Sequence, residues 1–246
     1  MKITDSYQKI FKNKKRILVV LAHPDDNEII CGGLVARLIS DKKKVRLLSM
    51  TNGGKGVRER NDISEKEFAE IRKNEQINAG KQLGVSSNEI FNLDIPDGEL
   101  ETNLDAIKKV VYHLRQFQPD IIITHNPEEI INWYSKSVGW VNHRDHRHTA
   151  EILLDATYPY CRDRAFFPEQ FKIKNLKPCY VSEYLFSDSY THPDAICFDV
   201  TSFVDKKRVA LKEHTNGLNQ DEIDGFLDEI KKGTKSYEVL RYVNLS

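Results

Sequence analysis

The sequence predicts an α/β fold in which a mostly parallel sheet is flanked by helices. Arg16–Ala22 and Asp120–Thr124 are short, continuous apolar runs rich in β-branched residues, and such runs are typical of strands covered on both faces. Between them, strand-like and amphipathic helical segments alternate. This alternation favours strands joined by crossover helices, and therefore a Rossmann-like sheet.

The individual elements follow from the same patterns along the first two thirds of the chain. The best-marked helix begins at Ser64, because Ser64 and Glu67 have the spacing of a capping box. The predicted strands are Arg16–Ala22, Lys44–Met50, Ile90–Leu93 and Asp120–Thr124. The predicted helices are Gly32–Ile39, Ser64–Leu83, Leu104–Phe117 and one that begins near His146.

Beyond about Tyr158 the pattern weakens, and we expect appended C-terminal strands and helices on the same sheet. They are strands Cys179–Phe186 and Ala195–Val200 and helices Val204–His214 and Asp221–Lys231. No repeat, low-complexity tract or linker-like stretch interrupts the chain, so a single domain over residues 1–246 is predicted.

Charge and hydropathy exclude several classes of partner. Lys+Arg and Asp+Glu both number 37, so no net positive field attracts nucleic acid or an anionic bilayer. The longest apolar run, Ile17–Ala22, is too short for a transmembrane segment, and the N-terminus lacks the apolar core of a secretory signal. Four cysteines without C-x-x-C spacing fit reduced thiols, so a cytoplasmic protein is expected.

Two polar segments follow predicted strands. His23–Asp26 comes directly after the first strand, and the loop after Asp120–Thr124 ends in His143–His146. The carboxyl ends of parallel strands meet at one edge of a sheet, so we expect the two segments to come together. They supply three histidines and three aspartates, and a catalytic zinc takes three N or O ligands with one position left open. The sequence therefore predicts a zinc site.

The residues alone do not decide which side chains bind. Asp25 and Asp26 are adjacent in an extended loop and point in different directions, so only one of them should bind the ion. His143 and His146 are three residues apart at a helix start and could share a face. Two histidines and one aspartate leave the site about one positive charge, which activates water. The remaining aspartate would be the general base and the remaining histidine the general acid.

Each segment also has an ordinary structural interpretation. A His-Pro or Asp-Asp pair at a strand end is usually a turn with a helix cap. Two such segments at two strand ends of one sheet favour function over that interpretation. His125 ends a strand at the same edge, where a pocket-lining role and a structural role are equally supported.

Several other residues are predicted to be structural. Gly32-Gly33 lacks G-x-G-x-x-G spacing, so close backbone packing explains it better than a nucleotide loop. Cys31 is predicted to be a small buried residue rather than a ligand. His148 and His214 are predicted to lie on the surface.

The two motifs resemble those of the LmbE/PIG-L family of zinc-dependent N-acetylglucosaminyl de-N-acetylases. The first reads AHPDDNEIICGG and matches the family's AHPDD-x5-GG through both glycines, and the second is His143-x-Asp-His146. The likeness covers most of the chain. It includes Arg72-x-x-Glu75, Leu83-Gly84-Val85, Pro96-Asp97-Gly98 and the strand that ends at Thr124.

This resemblance implies a role for each matching position. The zinc ligands that it implies are His23, Asp26 and His146. Asp25 would be the base, and His143 would be the acid or oxyanion stabiliser, held in orientation by Asp145. The family that the chain resembles has a Rossmann-like sheet and cleaves the acetamide of glucosamine-type sugars.

The chain departs from the family pattern at two positions. Arg144 stands where the family usually has proline, which changes the stiffness of the loop and adds a cation. Val141 stands where some relatives have a tyrosine that donates to the oxyanion, and Tyr134 or Trp140 could substitute for it.

Arg72 and Asp97 each have two interpretations. Arg72 and Glu75 lie on the apolar side of their predicted helix. Either Arg72 extends its charged end to solvent or pairs with Glu75, or it reaches a pocket to bind sugar hydroxyls or a phosphate. Asp97 is either simple turn chemistry or an acceptor for a sugar hydroxyl. The resemblance favours substrate binding for both.

The predicted reaction is therefore hydrolysis of the acetamide of an N-acetyl sugar conjugate, with release of acetate. The expected cofactor is Zn²⁺, with Fe²⁺ as the alternative, and the expected partner is a small-molecule N-acetyl sugar conjugate. Two other functions stay open: a zinc amidase acting on a non-sugar conjugate, and a catalytically silent zinc- or sugar-binding module. A homo-oligomer is compatible with the sequence.

Overall fold

A computed structural model of the chain describes residues 3–58 and 60–245. The strands are β1 (Arg16–Leu21), β2 (Lys44–Thr51), β3 (Ile90–Ile95), β4 (Ile121–Thr124), β5 (Ile131–Trp133), β6 (Gly139–Val141), β7 (Glu183–Phe186), β8 (Ala195–Asp199), β9 (Lys231–Lys232) and β10 (Lys235–Asn244). The helices are α1 (Tyr7–Phe11), α2 (Asp26–Ser40), α3 (Glu65–Gln82), α4 (Leu104–Phe117), α5 (Arg144–Asp155), α6 (Val204–Leu211) and α7 (Gln220–Glu229).

The main sheet has the strand order β3-β2-β1-β4-β7-β10-β8, with β9 paired to β10. The first five strands are parallel, and β10 runs antiparallel to both of its neighbours in that order. β5 and β6 form a separate antiparallel hairpin. The α/β fold with a mostly parallel sheet is therefore confirmed.

The core lies on both faces of β1, as its apolar run predicts. Ile17, Val19 and Leu21 pack into one hydrophobic cluster, whereas Leu18 and Val20 pack into a second cluster. This alternation follows from the two-residue period of a strand. Both faces of the strand are covered, and the residues from Ile17 to Leu21 are therefore all apolar.

The strand order places a crevice at the carboxyl ends of β1 and β4. From β1 the chain moves outward through β2 and β3, whereas β4 and β7 lie on the opposite side of β1. Ligands of open α/β sheets bind at such a reversal of strand order. The segments that follow β1 and β4 therefore border the crevice.

Helix α2 begins at Asp26, six residues before the predicted start at Gly32. Cys31 has non-helical dihedral angles and divides the helix, so Gly32 marks the start of the second segment. A Cβ atom on Gly33 would lie 2.8 Å from the Cβ atom of Val200, which confirms close packing as the reason for a glycine there. Cys31 is buried, as predicted.

Strand β10 is the main element that the sequence analysis missed. Its apolar pattern is interrupted by Glu238, which is buried because it pairs with Lys207 at 2.7 Å and accepts hydrogen bonds from the N–H groups of Gly33 and Leu34.

The predicted strand Cys179–Phe186 is shorter in the structure and begins at Glu183. The capping box at Ser64 is confirmed.

Two further observations concern membrane-spanning helices and the cysteines. In the described part of the chain, no helix combines the length and the apolar character that a membrane span requires. All four cysteines are free thiols, and three of them are buried.

His113 on α4 gives a prediction about pH and stability. Burial, together with the charge of Arg46, lowers its pKa from 6.5 to about 4. The unfolded chain therefore binds a proton between pH 6.5 and 4 that the folded chain does not, and stability falls as the pH falls through this window. The full difference is about 3 kcal/mol.

Replacing this residue, His113→Leu, should remove that component of the pH dependence. Urea unfolding of both proteins at pH 7, 6, 5 and 4 would measure it, since the titration of all other groups is common to the two. The attribution fails if the two proteins lose stability in parallel down to pH 4.

Candidate active site

His23–Asp26 lies where β1 ends, at the crevice. The backbone N–H of His23 donates to Asp26 Oδ2 at 2.7 Å, and Asp26 is almost fully buried. Helix α2 starts at Asp26, so the turn and the helix together fix this carboxylate at the end of the strand.

The second segment begins α5. His143 is the N-cap residue, and its Nδ1 atom accepts the backbone N–H of Asp145 at 3.1 Å. His146 lies in the first helical turn. The His23 ring centroid is 4.7 Å from that of His143 and 5.1 Å from that of His146. The expectation that the two segments meet is therefore confirmed.

Three side-chain atoms in this cluster are spaced as metal ligands would be. His23 Nδ1 lies 3.3 Å from Asp26 Oδ2 and 3.2 Å from His146 Nε2, and the latter two atoms are 3.5 Å apart. Bonds of 2.0–2.1 Å in a tetrahedral zinc site separate two ligands by about 3.3–3.4 Å. The residues therefore fit a tetrahedral cation with one position left for another ligand.

Other groups of potential ligands overlap with this triangle. Two of them are His23 with His143 and His146, and Asp26 with His125 and His146. His125 Nε2, however, accepts the backbone N–H of Ala22 at 3.0 Å, so its lone pair is already used. The His125 ring stacks on His146 with centroids 3.8 Å apart. This contact makes His125 a wall of the site that supports His146.

Two carboxylates face the opposite nitrogen of His23. Asp97 Oδ1 and Asp145 Oδ2 each lie 3.5 Å from His23 Nε2. Backbone N–H groups of Lys55 and Gly98 hold these carboxylates in place. Such outer carboxylates orient a histidine and increase its basicity as a ligand.

This arrangement differs from the roles that the resemblance implies for the two aspartates. Among the described residues, the Asp145 carboxylate contacts His23, whereas the hydrogen bond that orients His143 comes from the Asp145 backbone. Asp97 likewise contacts His23. Binding of substrate by Asp97 stays a prediction.

The electrostatics of the cluster favour a cation. Burial lowers the pKa of His23, but the charge of Asp26 and the hydrogen bonds that the ring donates to Asp145 and Asp97 outweigh it and raise this pKa well above its usual value. Burial likewise opposes ionisation of Asp26, but His146 and His23 hold the Asp26 pKa well below its usual value. The carboxylates of Asp26, Asp97 and Asp145 thus remain ionised, and their negative charge favours a cation at this cluster.

His143 has the opposite tendency. Partial desolvation of the ring and the charge of His23 lower the pKa of His143, which favours the neutral ring. Because Nδ1 accepts a backbone N–H, the neutral ring carries its proton on Nε2. Of the two roles that the resemblance implies for His143, this arrangement favours a hydrogen-bond donor to an oxyanion.

Asp25 is held in an ion pair. Arg72 Nη2 lies 2.7 Å from Asp25 Oδ2, and Arg72 Nη1 lies 3.3 Å from Glu75 Oε2. Burial raises the pKa of Asp25, but the Arg72 guanidinium outweighs it and lowers that pKa below its usual value. Asp25 is thereby kept ionised, as a general base must be.

Arg72 is also enclosed by the chain. It is only 4% exposed, and a Cβ atom on Gly217 would lie 1.7 Å from Arg72 Nη1. Arg72 and Glu75 form the buried pair that was one of the structural interpretations, and the contact with Asp25 gives Arg72 a second partner. Contact between Arg72 and substrate stays a prediction.

Kinetics of Arg72→Gln would distinguish these roles. If Arg72 positions Asp25, kcat should fall by about ten- to a hundredfold with KM little changed, because misplacing a reacting group has this effect. A higher KM at unchanged kcat would instead support direct contact with substrate. Circular dichroism and thermal unfolding would check that the variant folds.

The prediction that His214 lies on the surface is wrong. His214 is fully buried, and its Nε2 atom lies 3.0 Å from Glu28 Oε2. Glu28 follows shortly after the motif residues, 186 positions earlier in the chain, so only the fold brings the two together. His148, in contrast, is partly exposed and bonds to Thr102.

Arg144 ties the start of α5 to the turn that carries Asp97. Its Nη1 atom donates to the carbonyl oxygen of Leu100 at 2.7 Å, and Nη2 lies 3.5 Å from Glu101. Side-chain hydrogen bonds therefore fix this loop where relatives of the family use a proline. Val141 is exposed on the hairpin β5–β6.

Asp188 was not singled out from the sequence. It follows β7, is 9% exposed and has a positive φ of 53°, a conformation that aspartate tolerates better than most residues. Its Oδ2 atom accepts the hydroxyl of Ser187 at 2.7 Å and lies 3.8 Å from His125 Nδ1. The end of β7 at Phe186 was predicted correctly. The polar residues directly after this strand end were therefore the signal from which Asp188 could have been identified.

Comparison with known proteins agrees with these motifs. The model of the family described as GlcNAc-PI de-N-acetylase matches residues 18–157, which include both segments of the site. A diacetylchitobiose deacetylase from Thermococcus kodakarensis is 26% identical over 211 residues, which cover 86% of this chain and 73% of that protein.

Two other proteins extend the comparison. A 1D-myo-inositol 2-acetamido-2-deoxy-alpha-D-glucopyranoside deacetylase from Catenulispora acidiphila is 26% identical over 188 residues, and the match covers 68% of this chain and 55% of that protein. The structure of an N,N'-diacetylchitobiose deacetylase from Pyrococcus horikoshii superposes with a TM-score of 0.80 at 25% identity. The match covers 96% of this chain and 86% of that one.

Proposed function

Because this chain belongs to the GlcNAc-PI de-N-acetylase family, we propose that it is a metal-dependent hydrolase that removes the acetyl group from an N-acetylated sugar conjugate. The single observation that carries the proposal is the triangle of His23 Nδ1, Asp26 Oδ2 and His146 Nε2, with no side longer than 3.5 Å. An ionised Asp25 beside this triangle supplies a base that pure binding would not require.

The proposed ligands are His23, Asp26 and His146, and the proposed ion is Zn²⁺, with Fe²⁺ as the alternative. When bound, such an ion polarises a carbonyl group and makes water more acidic. The two nitrogen ligands and one carboxylate support zinc, because zinc prefers a small set of N and O donors with one open position.

The remaining residues account for the movement of protons. Asp25 accepts a proton from the water that attacks the acetyl carbon, and Arg72 keeps the carboxylate ionised until then. His143 donates the Nε2 proton in a hydrogen bond to the carbonyl oxygen as it becomes negative. Protonated Asp25 then passes its proton to the leaving nitrogen, and acetate and a free amine result.

Relatives support a sugar as the substrate. Two of the relatives are deacetylases of diacetylchitobiose and of an acetamido-glucopyranoside. A binding module without catalytic activity would not require the ionised Asp25 that Arg72 holds beside the triangle. We place the protein in the cytoplasm on the ground of its free thiols.

The proposal is tested by measuring acetate. Protein freed of metal with a chelator should release no acetate from N-acetylglucosamine or diacetylchitobiose, and reloading with Zn²⁺ or Fe²⁺ should restore release together with an equal amount of free amine. Acetate from a non-sugar acetamide alone would identify the amidase instead. Metal uptake without release from any substrate would identify the binding module.

A further inference from the structure

A tight turn of residues 214–217 lies between α6 and α7, outside residues 18–157 that the family model matches. The backbone N–H groups of Gly217 and Leu218 donate to the carbonyl oxygen of His214 at 3.2 Å and 2.9 Å. A capping box at Asn219 and Glu222 then begins α7. Both ends of the 214–217 turn are therefore fixed by the backbone.

The first contact of the turn is with α2. His214 is fully buried, and its Nε2 atom lies 3.0 Å from Glu28 Oε2. Glu28 is three residues after Asp25, the N-cap residue of α2, and residues three apart lie on the same side of a helix. This contact therefore places the turn beside the start of α2, where the proposed base lies.

The second contact is with Glu75 on α3. Glu75 Oε1 accepts hydrogen bonds from Thr215 Oγ1 at 3.1 Å, from the backbone N–H of Asn216 at 2.8 Å and from Asn216 Nδ2 at 2.8 Å. The other oxygen, Oε2, lies 3.3 Å from Arg72 Nη1. The turn thus fixes the carboxylate that orients one side of the Arg72 guanidinium.

The third contact is the packing of Gly217 against Arg72. A Cβ atom on Gly217 would overlap Arg72 Nη1 and would lie 2.5 Å from Arg72 Cζ. Gly217 does not have a positive φ, so its backbone would accept alanine, and the glycine is required by space alone. The guanidinium therefore occupies the position of the missing side chain, while its Nη2 atom lies 2.7 Å from Asp25 Oδ2.

We propose that the 214–217 turn is a positioning element of the active site, in which Glu75 and Gly217 hold the Arg72 guanidinium against Asp25 and so aim the base. The inference rests on the proposed function and assigns a part in it to a segment beyond the matched family region. The turn acts through Arg72 on Asp25 and not on the three proposed metal ligands. Its effect should therefore appear in kcat, with metal content unchanged.

Gly217→Ala tests the proposal, because the added methyl group displaces only the end of a flexible side chain. Per bound metal, kcat for diacetylchitobiose should fall about ten- to a hundredfold with KM within about twofold, as expected when a reacting group is misplaced. Gly225→Ala on α7 is the matched control. A Cβ atom there meets no atom of the described residues within 4 Å, and the variant should match the wild type.

A double-mutant cycle separates positioning from a general loss of structure. In an Arg72→Gln background the shorter side chain no longer fills the space beside Gly217, so adding Gly217→Ala should change kcat less than about twofold. A crystal structure of Gly217→Ala should show the guanidinium beyond hydrogen-bonding distance of Asp25. Thermal unfolding would check that each variant is folded.

A second variant adds no atoms and serves if Gly217→Ala does not fold. Thr215→Val combined with Asn216→Ala removes two of the three donors to Glu75 Oε1 and keeps the backbone donor. Thr215 is exposed and Asn216 is partly exposed, so the fold should persist. We expect kcat to fall about three- to tenfold, again with KM little changed.

Four results would overturn the positioning role: wild-type kcat in a folded Gly217→Ala variant, an equal effect of Gly225→Ala, a loss confined to KM, or the same fold loss in the Arg72→Gln background. Failure of the proposed function looks different. In that case the wild type would release no acetate from any sugar, although the displacement of Arg72 could still be seen in the crystal structure.

Discussion

Replacing Asp25 with Asn is expected to lower kcat by about 10²–10⁴-fold, the usual contribution of a positioned general base. Asparagine has nearly the same shape, but it cannot accept the proton of the attacking water. Its amide also ends the ion pair in which Arg72 lies 2.7 Å from Asp25. Acetate release at saturating substrate measures the effect.

Metal content is the control for this variant. Asp25 is not one of the three proposed ligands, so Asp25→Asn should bind as much metal as the wild type, although it should unfold at a lower temperature because the buried Arg72 loses an ionic partner. If the variant kept more than a tenth of the wild-type kcat with full metal content, Asp25 would not be the base, and Glu28 or another nearby carboxylate would have to be considered.

Replacing His146 with Ala is expected to abolish stable metal binding and, with it, activity. The variant keeps two of three proposed ligands, and its loss of affinity should exceed the 10–100-fold that changes outside the ligand set typically cause. His146 is partly exposed at the start of α5, so its removal should leave the fold intact. Competition with a coloured chelator measures the affinity.

Two further variants serve as comparisons for the effect of His146→Ala. Asp145→Asn alters a carboxylate 3.5 Å from His23 Nε2 and should weaken binding by about 10–100-fold. His148→Ala removes a histidine that is two positions along the same helix and bonds to Thr102, and it should change nothing. Equal effects of His146→Ala and His148→Ala would contradict the proposed ligand set.

The stabilisation of each variant by added metal should follow the order of the metal affinities. A ligand that binds only the folded protein stabilises it by about 2.7 kcal/mol at a hundred times its Kd. Added Zn²⁺ should therefore raise the unfolding temperature of the wild type and of His148→Ala, raise that of Asp145→Asn less, and leave that of His146→Ala unchanged.

Much of the fold follows from local sequence patterns. The strands β1 and β4 consist almost entirely of apolar residues, because a central parallel strand has no exposed face. Strand β10 escaped the same analysis because Glu238 lies within it. Its burial depends on Lys207, and a pairing between residues so far apart in sequence leaves no local pattern.

The site divides in the same way. Its proposed metal ligands lie in two short motifs at strand ends, so the motifs and the rules of parallel sheets sufficed to predict that they come together. The partners of those residues come from elsewhere: Arg72 reaches Asp25 from α3, and His214 reaches Glu28 from beyond α6. Such contacts depend on how the helices pack against one another, and local sequence patterns do not reveal that packing.

The most direct test of the central claim is anomalous X-ray diffraction from crystals grown with Zn²⁺. We expect one peak at the zinc edge, about 2.0–2.2 Å from His23 Nδ1, from an oxygen of Asp26 and from His146 Nε2. A peak among His23, Asp97 and Asp145, a peak bonded to His125, or no peak at the triangle would contradict it.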